Sequence, residues 1–231
     1  MSNVIIGVDE VGFGSIAGPL VVGAVAFLST TRRPVIKHYP FENVKQNKKE
    51  CKVTPLKDSK KLSYSMLLRF KELIMDRALG IQLFSQSPRH IDLHGVEVAR
   101  REAMHAVIMR LLEQLNYRYQ QNTEGIDLRQ YKVIIDGDVD LGHCRFAYQA
   151  LPHADDTVWQ VSAAAVIAKC VQVKAMQKLH ERNTRYGWDK NKGYPTKQHL
   201  EALDQHGVSM FHRKSYKPVA QRLIANVSDK P

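Results

Sequence analysis

Residues 4–14, Val-Ile-Ile-Gly-Val-Asp-Glu-Val-Gly-Phe-Gly, restrict the possible fold more than any other stretch. An apolar run rich in β-branched residues reads as a buried strand. It ends in adjacent carboxylates, Asp9 and Glu10, followed by glycines that let backbone approach a ligand. Acids beside a core strand are costly unless a positive group compensates them. A divalent cation does so, because hard oxygen ligands suit Mg2+ or Mn2+, and it would bring a phosphate within reach of the glycine turn. The ordinary alternative is a strand end whose acids face solvent.

Charge narrows the partner. A formal net charge of +11 over 231 residues implies a polyanion, nucleic acid before an acidic membrane surface, since no basic amphipathic helix of membrane type stands out. The length suits one large domain with a real core. Cys51, Cys144 and Cys170 are far apart and form no Cys-x-x-Cys, which excludes a disulfide framework or zinc knuckle and suits a reducing compartment. The chain enters a strand directly, without a charged-then-apolar leader, and no apolar run approaches the ~18 residues of a membrane span. A cytoplasmic protein with no membrane partner is expected.

Along the chain, Leu20 to Leu28 reads as a second core strand paired with the first like a hairpin. Residues 31–57 are polar and basic, with Pro34, Pro40, Pro55 and Lys45, Lys48, Lys49 and Lys52, and read as an exposed insertion whose lysines could touch a phosphate backbone. A helix follows, with Ser63 as cap, an apolar face at Met66, Leu67, Phe70, Leu73, Ile74 and Ala78, and Gly80 as stop. Lys60 and Lys61 stand just before its N-terminus, where anions are favoured, although a surface lysine pair is the plainer reading. Ile81 to Ser87 reads as a strand, and His90 to Tyr119 as one long helix serving as scaffold without chemistry.

The opening theme returns at Lys132 to Asp138, where a β-branched strand delivers Asp136 into a glycine turn. A calcium loop is rejected there, because Leu141 and Ala147 stand where glycine and glutamate are required. Asp155 and Asp156 precede an alanine-rich helical stretch, Val158 to Lys169, suited to close packing on a sheet. Each acid alone has an ordinary capping or turn explanation. Together they could converge at one edge of an α/β sheet. Asn191 to Thr196 is a turn with Lys192 and Tyr194, and His212 to Tyr216 is a basic cluster with an aromatic, suited to a nucleic-acid surface or to a solvated tail.

In this order the motifs resemble ribonuclease HII, the type 2 ribonuclease H family. They are Gly7-Val8-Asp9-Glu10-Val11-Gly12 with Ala17-Gly18-Pro19, Asp58-Ser59-Lys60-Lys61-Leu62, Ile135-Asp136-Gly137, Ser162-Ala163-Ala164 with Ala168-Lys169, Asn191 to Thr196, and His212 to Tyr216. The resemblance implies an α/β, ribonuclease H-like fold over residues 1–231, with a mixed central sheet flanked by helices and a small helical C-terminal part from about residue 190. It implies metal-binding, catalytic acids at Asp9, Glu10, Asp136 and Asp155. Asp155 is preferred to Asp156 by ungapped counting back from Ser162. Substrate contacts fall to Gly12, Phe13, Gly14, Lys60, Lys61, Lys192 and Tyr194, the tyrosine packing against a sugar.

The implied activity is two-metal hydrolysis, with Mg2+ or Mn2+, of the RNA strand of RNA–DNA hybrids, leaving a 5′ phosphate and a 3′ hydroxyl. DNA duplexes with embedded ribonucleotides are the second expected substrate, and a monomer is expected. A DNA nuclease of the same fold and a catalytically impaired hybrid-binding protein are the alternatives. One position departs from the family's Gly-Arg-Gly turn: Phe13 stands where arginine would hold a phosphate near the 2′-hydroxyl. Its loss predicts better cleavage of longer ribonucleotide tracts than of a lone ribonucleotide.

Overall fold

A computed structural model describes residues 2–38, 52–56, 62–119 and 126–228. Strand β1 (Ser2–Val11) is central. It pairs antiparallel with β2 (Leu20–Leu28) on one side and parallel with β6 (Ile126–Asp136) on the other. Strand β5 (Gly80–Gln86) extends the sheet beyond β2, and β7 (Tyr148–Leu151) beyond β6, giving the order β5-β2-β1-β6-β7. The mixed sheet expected from the sequence is therefore present. Because Val8 lies opposite Ile135, Asp9 and Asp136 leave neighbouring parallel strands at the same end of the sheet.

Strand alternation sorts the core. Val4, Ile6 and Val8 point to one face, where Ala103, Met104, Val107, Ile108 and Leu111 of α3 (Val96–Tyr119) cover them. The other face takes α5 (Trp159–Arg182), whose Ala163, Ala164, Val166 and Ile167 pack with Val25 and Phe27 of β2. Helix and sheet approach closely there because Gly7 has no side chain: an added Cβ would lie 2.2 Å from the Gln160 backbone. This close approach also brings the start of α5 near the acidic strand ends.

Several elements differ from the sequence reading. The expected long helix breaks at Gly95 into α2 (Pro88–His94) and α3, with Gly95 at φ 83°. Helix α1 (Tyr64–Arg77) starts on the Ser63 cap, but ends before Gly80, which begins β5. Part of the 31–57 insertion is ordered: β3 (Val35–His38) pairs antiparallel with β4 (Lys52–Pro55), and Ile36 and Leu56 are buried against the α1 and α5 core. Lys45, Lys48 and Lys49 lie outside the described residues. Asp155 and Asp156 precede α5 as expected, but they occupy a short helix of their own, α4 (Ala154–Thr157).

The C-terminal part is helical, with α6 (Trp188–Asn191), α7 (Lys197–His206) and α8 (Lys217–Ser228). It is joined to the loop after β1 rather than trailing as a tail. Ile16 donates to the Gly193 carbonyl at 2.8 Å, Arg213 donates to the Ile16 carbonyl at 2.8 Å, and His212 and Arg213 are buried. No described helix is long and apolar enough to cross a membrane.

Candidate active site

Asp9, Asp136 and Asp155 each offer a carboxylate oxygen within 4.8 Å of the other two. Asp9 and Asp155 are buried, whereas Asp138, Asp140 and Asp156 are exposed. Local hydrogen bonds orient the trio. The Glu10 amide donates to Asp9 Oδ1 at 2.7 Å, and the Ala154 and Asp155 amides donate to Asp136 Oδ1 at 2.7 and 3.4 Å. Ser162 on α5 donates to the Asp155 carbonyl at 2.6 Å, tying α4 to the helix behind it.

Such crowding makes ionisation costly. Burial, then the charges of Glu10, Asp136 and Asp155, hold the Asp9 carboxyl well above its ordinary range. Burial also pushes Glu10 up to about 7, although the Arg100 guanidinium pulls it down. Glu10 Oε2 is buried with no hydrogen-bond partner among the described residues. An all-oxygen donor set with raised carboxyls and an orphaned oxygen is what a hard divalent cation satisfies, so the residues present fit a metal of the Mg2+ or Mn2+ kind.

The acids open into a cleft of about 500 Å³ that Gly12, Phe13, Gly14, Lys169, Gln172, Lys192 and Tyr194 also line. Gly12 has φ 88°, a left-handed conformation that turns the chain sharply after the acids. Tyr194 lies beside Gly14, its Cε1 4.0 Å from where a Cβ of that glycine would be, and is 40% exposed. The Lys192 ammonium donates to the Asp189 carbonyl, and its own carbonyl accepts from Gln172 at 2.8 Å. Lys60 and Lys61 lie outside the described residues.

Two guanidiniums meet the turn that the sequence reading did not place there. Arg100 of α3, a helix read as scaffold alone, lies with Cζ 4.9 Å from the centroid of the Phe13 ring and NH1 3.7 Å from Glu10 Oε1. Arg213, read as part of a surface cluster, is fully buried beneath the turn and donates to the carbonyls of Phe13 at 3.0 Å and Gly18 at 3.1 Å. Helical periodicity records only apolar positions, so nothing in it marks Arg100.

Sheet order, flanking helices and an acid trio drawn from two neighbouring strand ends and the short helix α4 define a protein of the ribonuclease H-like class. A family model described as ribonuclease HII matches residues 6–219. The chain is similar to ribonuclease HII of Anaplasma phagocytophilum (strain HZ), 34% identical over 223 residues that cover 96% of this chain and 90% of the relative. Among solved structures it is similar to ribonuclease H2 from Pyrococcus horikoshii OT3 (TM-score 0.67, 20% identity, 98% and 100% of the two chains). It is also similar to Bst-RNase HIII in complex with Mn2+ (TM-score 0.63, 18% identity, 97% and 70%). The chain belongs to the ribonuclease HII family.

Proposed function

We infer that this protein is a metal-dependent endoribonuclease that hydrolyses the RNA strand of RNA–DNA hybrids and leaves a 5′ phosphate and a 3′ hydroxyl. The observation that carries the reading is the convergence of Asp9, Asp136 and Asp155 within 4.8 Å beside the Gly12–Gly14 turn, in a chain of this family. Asp9, Asp136 and Asp155, with Glu10 beside them, would hold Mg2+ or Mn2+. When bound, the cations supply Lewis-acid stabilisation of the phosphate and a nucleophile at neutral pH.

The chain's own groups then position the strand. Gly12 and Gly14 let the backbone reach the 2′-hydroxyl, the group that distinguishes RNA from DNA. Glu10 stands between this turn and the acid trio, so one carboxylate serves both the hydroxyl and the metal. Tyr194, exposed beside Gly14, offers a ring for the neighbouring sugar, while Lys169 and Lys192 bring positive charge to the phosphates. One chain provides all these groups, consistent with action as a monomer. Single ribonucleotides embedded in DNA are the second substrate of the same cleft.

Duplexes carrying one, four or no ribonucleotides, incubated with each metal, test the reading. Cutting confined to the ribonucleotide-bearing strand is expected. Product from the all-DNA duplex, or none from any duplex, would overturn it.

A further inference from the structure

Arg100 stands beside the cleft with three partners that are unusual for a scaffold residue. Its NH2 donates to Glu97 Oε2 at 2.6 Å, its NH1 lies 3.7 Å from Glu10, and its Cζ stands over the Phe13 ring at 4.9 Å. Its Nε is buried with no hydrogen-bond partner among the described residues. The three groups differ in permanence. Glu10 and Phe13 belong to the wall of the cleft, and they hold the guanidinium plane through charge and through the ring face. Glu97, one helical turn away, has a side chain 60% exposed and reaches Arg100 from the solvent side.

A phosphodiester resembles Glu97 in the property that matters here. Each presents two oxygens and one negative charge to a planar fork, and each fits a guanidinium in the same way. A strand crossing the Gly12–Gly14 turn must carry a phosphate within a nucleotide's length of Phe13.

We propose that Arg100 binds a phosphate of the strand held at the Phe13 turn, and that Glu97 is a placeholder on that guanidinium which the phosphate displaces. The missing arginine at position 13 is thereby replaced from α3, with Phe13 as the seat for the incoming guanidinium. Arg100 is a substrate-specificity residue, and Glu97 lowers affinity until a strand competes it away. This proposal rests on the hybrid-cleaving reading above.

The test is binding of an RNA–DNA hybrid across a salt series, by fluorescence anisotropy with Ca2+ in place of Mg2+ and product formation followed in parallel. Native protein, Glu97→Gln, Arg100→Met, Arg100→Lys and the Glu97→Gln/Arg100→Met double variant are compared, with thermal melts of each. Arg100→Met is expected to weaken binding about tenfold. It should also flatten the slope of log K against log salt by about 0.9, the loss of one phosphate contact. Arg100→Lys keeps the slope but binds less tightly, because it keeps the charge without the fork. Glu97→Gln tightens binding in the native background and changes nothing once Arg100 is methionine. An unchanged slope in Arg100→Met overturns the proposal, as does a Glu97→Gln gain of equal size in both backgrounds. If the native protein neither binds nor cuts hybrid, the functional reading fails with it; if it does both and the slopes coincide, the proposal alone fails.

Discussion

His199 donates from Nδ1 to the carbonyl oxygen of Tyr194 at 2.8 Å, so the tyrosine on the cleft wall is held from behind by a fully buried imidazole. Trp188 Nε1 can only donate, and it reaches His199 Nε2 at 3.0 Å, which leaves the proton on Nδ1. The Ser209 amide donates to His212 Nδ1 at 3.0 Å, so His212 Nε2 is the donor in its 3.2 Å contact with His199. Both rings are neutral in this arrangement. Replacing His199 with phenylalanine strands the indole N–H and the Tyr194 carbonyl, an expected loss of about 1–3 kcal/mol. Denaturant unfolding measures it, and KM for hybrid should rise as Tyr194 loosens.

Acid should attack the same pair. Burial, followed by the neighbouring His199, pushes His212 from 6.5 down to about 3. Between those values the unfolded chain holds the proton and the folded chain does not, so this contribution to stability is full above about pH 6.5 and declines as pH falls toward 3. Unfolding midpoints across that window should slope less steeply in His212→Gln than in the native protein.

Glu10 predicts the opposite slope. Its carboxyl rises from 4.5 to about 7 through burial, opposed by Arg100 and reinforced by Asp136, so in metal-free protein the folded state binds more protons between those values. Its stabilising contribution is present below about pH 4.5 and is lost as pH rises through 7. Glu10→Gln in EDTA should therefore melt higher than the native protein at pH 8. Added Mg2+ should raise the native melting point more at pH 8 than at pH 5, because cation and proton compete for the same oxygens. Equal shifts at both values would contradict the metal assignment of these acids.

Gly7→Ala tests the close seat of α5. The added methyl carbon would lie 2.2 Å from the Gln160 carbonyl carbon and oxygen, backbone atoms that cannot swing aside. Overpacking of this kind costs about 1–3 kcal/mol or more. Because α5 also carries Ser162, the support of Asp155, activity should fall further than stability alone accounts for. Stability measured by denaturant titration beside kcat separates the two effects.

The structure changes what Phe13→Arg should do. The sequence alone favours such a variant as a repair, but a guanidinium at position 13 would meet Arg100, whose Cζ stands 4.9 Å from the ring centroid. Like charges at that distance repel. The variant is expected to melt lower than the native protein and to gain nothing on a single-ribonucleotide duplex, checked by thermal scans beside kcat/KM.

Asp9 and Asp136 were legible because both follow β-branched runs and enter glycine turns, so strand and site share one signal. The burial that separates Asp155 from Asp156 came only with α4, a helix of 4 residues, too short for any period to show. Strands β3 and β4 were obscured by lysines and prolines around one short apolar pair, Val35-Ile36, and the lone Val53. Arg100 and Glu97 sit on the polar side of a helix, where sequence records charge but not what faces it. Arg213 and His212 read as part of a surface basic cluster, because only tertiary packing shows both buried, with Arg213 donating to the Gly18 carbonyl and His212 set against His199.

If Asp9, Asp136 and Asp155 form one metal-holding centre, neutralising one of them should stop the cutting of RNA in hybrids. Single-turnover cleavage of one RNA–DNA hybrid, by native protein and Asp136→Asn with Mg2+ and with Mn2+, tests it most directly, with the ends of the product identified. The native protein should give 5′-phosphate fragments of the RNA strand, and the variant a rate lower by more than about a hundredfold, the scale of losing a charge stabiliser at the reacting centre. An intact RNA strand with both metals, or native turnover in Asp136→Asn, would contradict it.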